Sequence, residues 1–446
     1  MLKTIMPLNI IIAMRFLGLF IVLPVISVYA LSLPGATPTT VGIVIGGYAI
    51  TQMIFQVPFG IISDKIGRKS TIVMGLIIFA IGSLIAAQAD NMITLLFGRF
   101  LQGAGAIGAV VTAMISDIVK EEQRPKAMAL MGGSIALAFA IAMVAGPLIG
   151  AAAGVSTLFY IVAVMAIVSI FILIKYVPNA PKITHTYNGS DKYSFLVNPS
   201  LLKMNITNFL QKGLMTFAFM IIPIVLTKAY GWQVSELWKV YLPAMVAGIF
   251  AMGPAAMLAE KRGMFKQVLM LGIAFFGISY YIISLSSASI DAKIVSDDYT
   301  LFVVGVIVFF MGFNMHEPIM QSLTTKYAKV YQKGAVLGVF NSYGYFGTFI
   351  GGFVGGMYLE TLPLSQISIV ILAICIAWIV LIATLPNPAK TKVHYMDLKD
   401  TDSSKHSILH DTDGCIEWYI NDTENIIIVR YNSDIISADE IQNLIK

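Results

Sequence analysis

Four ionisable side chains stand inside long apolar stretches of this 446-residue chain: Arg15, Arg99, Lys212 and Glu317, with His316 beside the last. A charge in hydrocarbon costs about 2.5–3.5 kcal/mol on insertion scales, so such groups mark functional positions by default. Glu317 is the one acid well inside an apolar run of the C-terminal half. An apolar site favours the neutral carboxyl, so the group can take a proton from one side of a barrier and release it on the other. Pro318 bends the helix there and frees a backbone carbonyl. The plainer alternative is a Glu held by a Lys or Arg as a fixed strut. Arg99 has Gln102 three residues on, on the same helical face. It either faces a cavity or is satisfied by backbone carbonyls. Arg15 lies a third of the way into the first run, where it lines a cavity or snorkels to the surface. Lys212 binds an anionic group, pairs with a carboxylate or snorkels. Tyr48, Gln52, Gln56, Asn208, Gln211 and Asn314 are polar groups at the same depth and are expected to line that cavity.

The elements that hold these groups are helices. The chain is 57% hydrophobic and 12% charged, where soluble domains carry about 25% charged residues. Its mean hydropathy is +0.82. Twelve apolar runs fall at about 6–31, 41–62, 71–89, 92–117, 127–151, 154–177, 201–227, 237–258, 267–288, 299–323, 335–358 and 364–385. Each approaches or exceeds the roughly 20 residues that span hydrocarbon. A backbone in lipid must satisfy its own polar groups, so the runs are helices. The alternation of a membrane barrel is absent. The first run is too long for a signal-peptide core and is read as a retained helix.

Nineteen Lys and Arg fall in one alternate set of loops and flanks and three (Lys228, Lys239, Lys293) in the other. By the positive-inside rule both termini are cytoplasmic. The sequons at Asn188, Asn205 and Asn421 then carry no glycan. The net charge of +5 is spread over membrane flanks, which gives no nucleic-acid face. Cys375 and Cys415 are too few and too far apart for a disulfide or metal framework. No phosphate-binding loop points to ATP, and no cofactor, metal or catalytic constellation is expected.

The densest cluster of charge is Gly60-Ile-Ile-Ser-Asp64-Lys65-Ile-Gly67-Arg68-Lys69, between the second and third runs. It is echoed by Glu260-Lys261-Arg262-Gly263 after the eighth. Asp117 and Arg124 flank the next loop on the same side. Gly146, Pro147 and Gly150 in the fifth run are answered by Gly351-Gly352 and Gly355-Gly356 in the eleventh. Small residues allow close helix approach and Pro kinks a helix, so the fifth run is expected to form a dry seal toward the cytoplasm. The division is therefore 1–177, a six-helix bundle; 178–200, a linker; 201–386, a second six-helix bundle; and 387–446, a small polar domain. The last reads as strands at 392–398, 415–420 and 425–431, a helix over 403–410 and a final helix from Ala438 behind an N-cap at Ser437. That βαββα order suggests a ferredoxin-like unit without its last strand.

The loop at 60–69 resembles the G-x-x-x-D-[RK]-x-G-[RK]-[RK] signature of the major facilitator superfamily. Arg15-Phe-Leu-Gly-Leu-Phe-Ile-Val-Leu-Pro24, Gln56-Val-Pro58-Phe-Gly60, Gly98-Arg99-Phe-Leu-Gln102-Gly103-Ala-Gly105, Trp238-Lys239-Val-Tyr241 and Phe313-Asn314-Met-His-Glu317 resemble its drug/proton antiporter group, inner-membrane proteins with a small cytosolic C-terminal domain. The resemblance implies an all-α membrane protein of two six-helix bundles with an appended α+β domain, working by alternating access. It implies proton coupling at Glu317 and Arg99, with His316 as a neighbour, and a gating role for Gly60, Asp64, Lys65, Gly67, Arg68, Lys69, Asp117, Arg124 and Glu260. The fifth run departs from the antiporter pattern at Ala142 and Ala151, which weakens antiport relative to symport. Protons, a small-molecule substrate and the lipid bilayer are the expected partners of a monomeric, multi-pass protein of the bacterial inner membrane. Proton-coupled uptake, and a sensor signalling through the tail, are the alternatives. Asp64 is expected to cap a helix across the bundle interface, and Arg68-Lys69 give way to Met264-Phe265 in the second copy.

Overall fold

The computed structural model describes residues 2–178, 194–286, 299–328, 332–358, 361–386, 391–421 and 424–446. Most of the linker expected at 178–200, with Asn188, Lys182 and Lys192, lies outside the described residues, as do Lys293, Lys329, Lys390 and Asp422.

Long helices make up the body. The N-terminal half contains α1 (Leu2–Phe20, resuming as Leu23–Leu31), α2 (Pro38–Ile66), α3 (Arg68–Ala87), α4 (Met92–Ala104, resuming as Gly108–Ile118), α5 (Arg124–Ala153) and α6 (Val155–Tyr176). The C-terminal half contains α7 (Pro199–Lys228), α8 (Trp238–Arg262), α9 (Phe265–Leu285), α10 (Thr300–Tyr327), α11 (Lys333–Tyr358) and α12 (Leu364–Ala383). Among the described residues eleven spans are long and apolar enough to cross a membrane. The twelfth helix, α11, spans 26 residues; eight glycines together with Asn341, Ser342, Tyr343 and Tyr345 reduce its hydropathy. Ile167, Phe171 and Ile174 on α6, and Ile369, Ile376 and Val380 on α12, are exposed. Their spacing of three, four or seven residues lays an apolar stripe along each helix where lipid would lie.

Two helices break where the sequence shows only continuous apolar runs. α1 stops at Ile21-Val22, just before Pro24. A Cβ on Gly146 would lie 2.2 Å from the Ile21 carbonyl oxygen, so α5 can nest against the break only with a glycine there. α4 breaks over residues 105–107, where the Gly105 carbonyl accepts from Ile107 N–H at 2.9 Å and keeps a lone pair for a side-chain donor.

The halves meet at one end. We call the end that carries the 60–70 loop the basic end and its opposite the far end. At the far end α2 and α11 are zipped by glycines. A Cβ on Gly42 would come to 1.9 Å from Gly352 O, and one on Gly356 to 2.2 Å from Pro38 O. Small residues allow this backbone approach, which gains dispersion contacts that lipid tails cannot match. Phe139 of α5 joins the seam through ring contacts to Phe219 and Phe313 at about 6 Å. Toward the basic end, Gly108, Gly132, Gly133, Gly253, Gly334 and Gly338 face open space. The body is therefore closed at the far end and parted at the basic end.

The C-terminal domain is a three-stranded antiparallel sheet of order β1-β3-β2, with β1 (Thr391–Asp397), β2 (Cys415–Asn421) and β3 (Ile426–Asn432). The expected helix over 403–410 shrinks to a 3-10 turn at Ser403–Lys405 and one turn, α13 (Ile408–Asp411). α14 (Ala438–Ile445) starts at a capping box in which Ser437 and Glu440 satisfy each other's backbone N–H groups. Ile427, Val429, Ile441 and Ile445 fill the core. The β1–helix–β2 path with β3 inserted antiparallel between them is the ferredoxin-like order.

This domain is fastened to the body through Arg430 of β3, which is buried. Its guanidinium donates to the Ala328 and Lys326 carbonyls at 2.5 and 2.6 Å, at the C-terminal end of α10. Burial pulls the Arg430 pKa below its usual value, while the carbonyl dipoles at a helix C-terminus favour the cation.

The domain also carries a pH dependence. His406 is 4% exposed, with Nε2 3.0 Å from Thr401 Oγ1 and its ring 5.8 Å from Trp418. Burial lowers its pKa from 6.5, against a weaker upward pull from Asp402. As pH falls below 6.5 the unfolded chain binds a proton that the folded domain resists, so stability is lost toward acid. Hydrogen-exchange protection factors of β2 and β3 in the whole protein, corrected for the intrinsic slowing of exchange toward acid, are expected to fall from pH 7 to pH 5, and less so in His406→Gln.

Candidate functional site

Glu317 and Lys212 find each other. Lys212 Nζ on α7 lies 2.5 Å from Glu317 Oε1 on α10, with side chains 26% and 36% exposed. Gln211 Nε2 donates to the same carboxylate oxygen at 3.2 Å and to Phe313 O at 3.4 Å. The ammonium also sits 5.0 Å from the Phe313 ring centroid. Asn314, one turn before Pro318, turns its side chain back to Phe310 O at 2.8 Å, against Gly248 of α8. The pair bridges two helices of the C-terminal half and stays partly exposed where the halves part. The snorkelling expected of Lys212 does not occur; the carboxylate holds it.

His316 takes another direction. One residue on an α-helix is a rotation of about 100°, which turns its ring between Phe276 and Trp378 at 5.6 and 5.7 Å. Its Nε2 lies 2.9 Å from Leu269 O, and the side chain is fully buried among α9, α10 and α12. It is a packing residue that the structure does not bring to Glu317.

In the N-terminal half the two arginines are buried. Arg99 Nε, Nη1 and Nη2 donate to Val44 O at 3.1 Å, Gln102 Oε1 at 2.8 Å and Ile45 O at 3.5 Å. The guanidinium lies 4.7 Å from the Tyr48 ring centroid, and Gln102 continues to Ser83 Oγ at 2.8 Å. Arg99 thus braces α4 against α2. Arg15 does not snorkel: it is 1% exposed. Its Nη2 donates to Gly105 O at 2.9 Å, in the α4 break, and to Gln52 Oε1 at 3.3 Å. Gln52 Nε2 donates to Tyr345 Oη at 2.6 Å, across the seam to α11. Tyr345 was hidden from sequence reasoning because its helix shows only a glycine pattern. Gln56 is buried on α2, and Asn208 ties α7 to α11 by donating to Phe340 O at 2.7 Å.

The loop at the basic end is built on Arg68. Gly67, at φ 94°, makes the turn between α2 and α3 in a region that favours glycine. Arg68 Nη1 lies 2.6 Å from Asp64 Oδ1, and Nε lies 3.0 Å from Asp117 Oδ2 at the end of α4. Arg124 donates to Ser116 O at 3.1 Å. Lys65 is exposed, Lys69 half-buried, and Gly60 faces open space. Asp64, 66% exposed, accepts from Arg68 of its own half, and among the described residues no helix cap to the other half is seen. In the second copy Glu260 accepts from Ser322 Oγ and lies 3.0 Å from Lys326 Nζ at the end of α10. The polarity is reversed: loop cation to helix acid in the first half, loop acid to helix cation in the second. Gly146, Pro147 and Gly150 lie toward the far end of α5, against α1, rather than on the basic side where the seal was expected.

The two latches carry a prediction. Asp64→Asn removes one of the two acids that hold Arg68, whereas Glu260→Gln leaves an amide that still reaches Ser322. Transport is expected to fall by about tenfold in Asp64→Asn, roughly 1.4 kcal/mol, and less in Glu260→Gln. Initial rates in proteoliposomes check this, and equal losses would contradict it.

The family model of the Major Facilitator Superfamily matches residues 8–352. The inner membrane transport protein YajR of Escherichia coli (strain K12) is 34% identical over 443 residues, covering 97% of this chain and 95% of that protein. The quinolone resistance protein NorA of Staphylococcus aureus is 34% identical over 137 residues, 30% of this chain and 34% of that one. Among solved structures, a bacterial homolog of the human lysosomal transporter Spinster superposes with a TM-score of 0.69 at 15% identity, covering 86% of this chain and 96% of that chain.

Proposed function

The chain belongs to the major facilitator superfamily of membrane transporters, and on that premise we propose that it is a proton-driven antiporter that exports a small molecule. The observation that carries this reading is the Lys212–Glu317 pair, partly exposed at the parted end and backed by Gln211. A carboxylate held by an ammonium is a charge pair that a proton breaks. Protonation of Glu317 frees Lys212 and removes a tie between α7 and α10; loss of the proton restores it. Proton occupancy is thereby linked to helix position. Substrate binds near mid-depth between the halves, as in other carriers built from repeated bundles. At a potential of about 100 mV each inward proton supplies about 2.3 kcal/mol to outward transport.

The basic end is read as cytoplasmic and the membrane as the bacterial inner membrane, with the protein a monomer. The Lys and Arg asymmetry supports the orientation, and the likeness to YajR supports the membrane. Export is favoured over uptake by the partial likeness to a protein named for quinolone resistance. The test is substrate-driven proton movement in proteoliposomes. Addition of substrate on one side is expected to drive protons the opposite way; movement in the same direction means symport.

A further inference from the structure

Two guanidinium groups of the N-terminal half are buried, and neither forms an ion pair among the described residues. They differ in how their donors are spent. Arg99 uses all three nitrogens on Val44 O, Gln102 and Ile45 O. Arg15 uses only Nη2, while its Nε and Nη1 are buried without a hydrogen-bond partner. Unmade hydrogen bonds on buried groups are costly, more so on a charge. Phe16 and Phe79 lie 5.8 and 5.5 Å from the guanidinium carbon. Their faces attract the cation but accept no in-plane N–H. A strut to Gly105 O requires one N–H; the unpartnered Nε–H and Nη1–H, which point to different sides of the guanidinium, each remain able to donate a charge-assisted bond to an anionic oxygen.

The position of these two donors matters as much as their lack of partners. Gln52 receives from Arg15 and donates to Tyr345 Oη across the seam. The group therefore stands beside the contact between α2 and α11, linked by hydrogen bonds to both halves. The other cation at this depth, Lys212, is already neutralised by Glu317. The charge deficit lies in the N-terminal half.

We infer that Arg15, with Gln52 and Tyr345, anchors an anionic substrate, a small molecule bearing a carboxylate or phosphoryl group. The inference rests on the transporter reading and adds the substrate class. The anion and the proton then occupy separate places, the anion at Arg15 and the proton at Glu317. An anion held at the seam favours the state closed at the far end.

The test uses the full chain in detergent at fixed ionic strength, with thermal unfolding followed against benzoate, inorganic phosphate and the neutral isostere benzamide. Benzoate or phosphate is expected to raise Tm with concentration and benzamide is not; which anion acts distinguishes a carboxylate from a phosphoryl ligand. Arg15→Gln is expected to abolish the shift. Tyr345→Phe, which keeps the packing, is expected to weaken it several-fold and serves if Arg15→Gln does not fold. Glu317→Gln is expected to keep the shift, so a failure of the proton-site assignment leaves this result standing. An unchanged shift in the Arg15 and Tyr345 variants, an equal effect of benzamide, or no shift with either anion overturns the inference.

Discussion

Glu317→Gln is expected to uncouple transport from the proton gradient. The amide keeps the shape and a hydrogen bond from Gln211, but it cannot take up or release a proton. Lys212 loses its counter-charge at the same time and keeps only the Phe313 ring. Gradient-driven transport in proteoliposomes should fall by about tenfold or more, at least roughly 1.4 kcal/mol in the barrier. Substrate exchange without a gradient should persist, because that reaction needs the halves to move but no net proton transfer. Full coupling in the variant would remove Glu317 from the mechanism. Lys212→Gln provides the converse measurement. It leaves Glu317 able to exchange a proton but without its ammonium partner, so gradient-driven transport should be weakened rather than uncoupled.

Gly42→Val is expected to prevent closure at the far end. A Cβ there would lie 1.9 Å from Gly352 O and 2.8 Å from Gly352 C. Both are backbone atoms, so no side-chain rotation relieves the overlap. Overpacking of this kind costs about 1–3 kcal/mol and sometimes more, which shifts a two-state balance roughly five- to 150-fold. The protein should still insert and fold, because the clash exists only in the state closed at that end. Cysteines near the far end of α2 and α11 should become more reactive to impermeant thiol reagents, and transport should cease. Gly338→Val on α11, where nothing lies within 4 Å, should leave far-end closure intact. If Gly42→Val transports normally, the zipper is not a working contact.

Much of the architecture was legible in the sequence because membrane helices depend on a local quantity, apolar content over about 20 residues. The strands of the C-terminal domain were legible for a similar reason, as short β-branched runs near turn signals. What escaped was whatever depends on rotation about a helix axis or on partners far along the chain. Hydropathy is blind to the breaks at 21–22 and 105–107, since the residues that break the helices are themselves apolar or glycine. Arg15 and His316 have the right composition for several fates, and only the α4 break and the Phe276–Trp378 slot decide between them. The glycines of α11 were visible, but not that they oppose Gly42 and Gly46 some 300 residues earlier. The Glu317–Lys212 pairing was open as one of several reach-across options, because a helix face cannot be assigned when nearly all faces are apolar.

The bond from Arg430 to the end of α10 has a practical consequence. Among the described residues it ties the C-terminal domain to the C-terminal half, at the basic end of α10. A rocking motion too small to resolve within the bundle is magnified at the rim of a body carried on its end. A fluorophore on the exposed surface of α14 and another at Lys65 would turn that motion into a distance, read without touching any residue that lines the path.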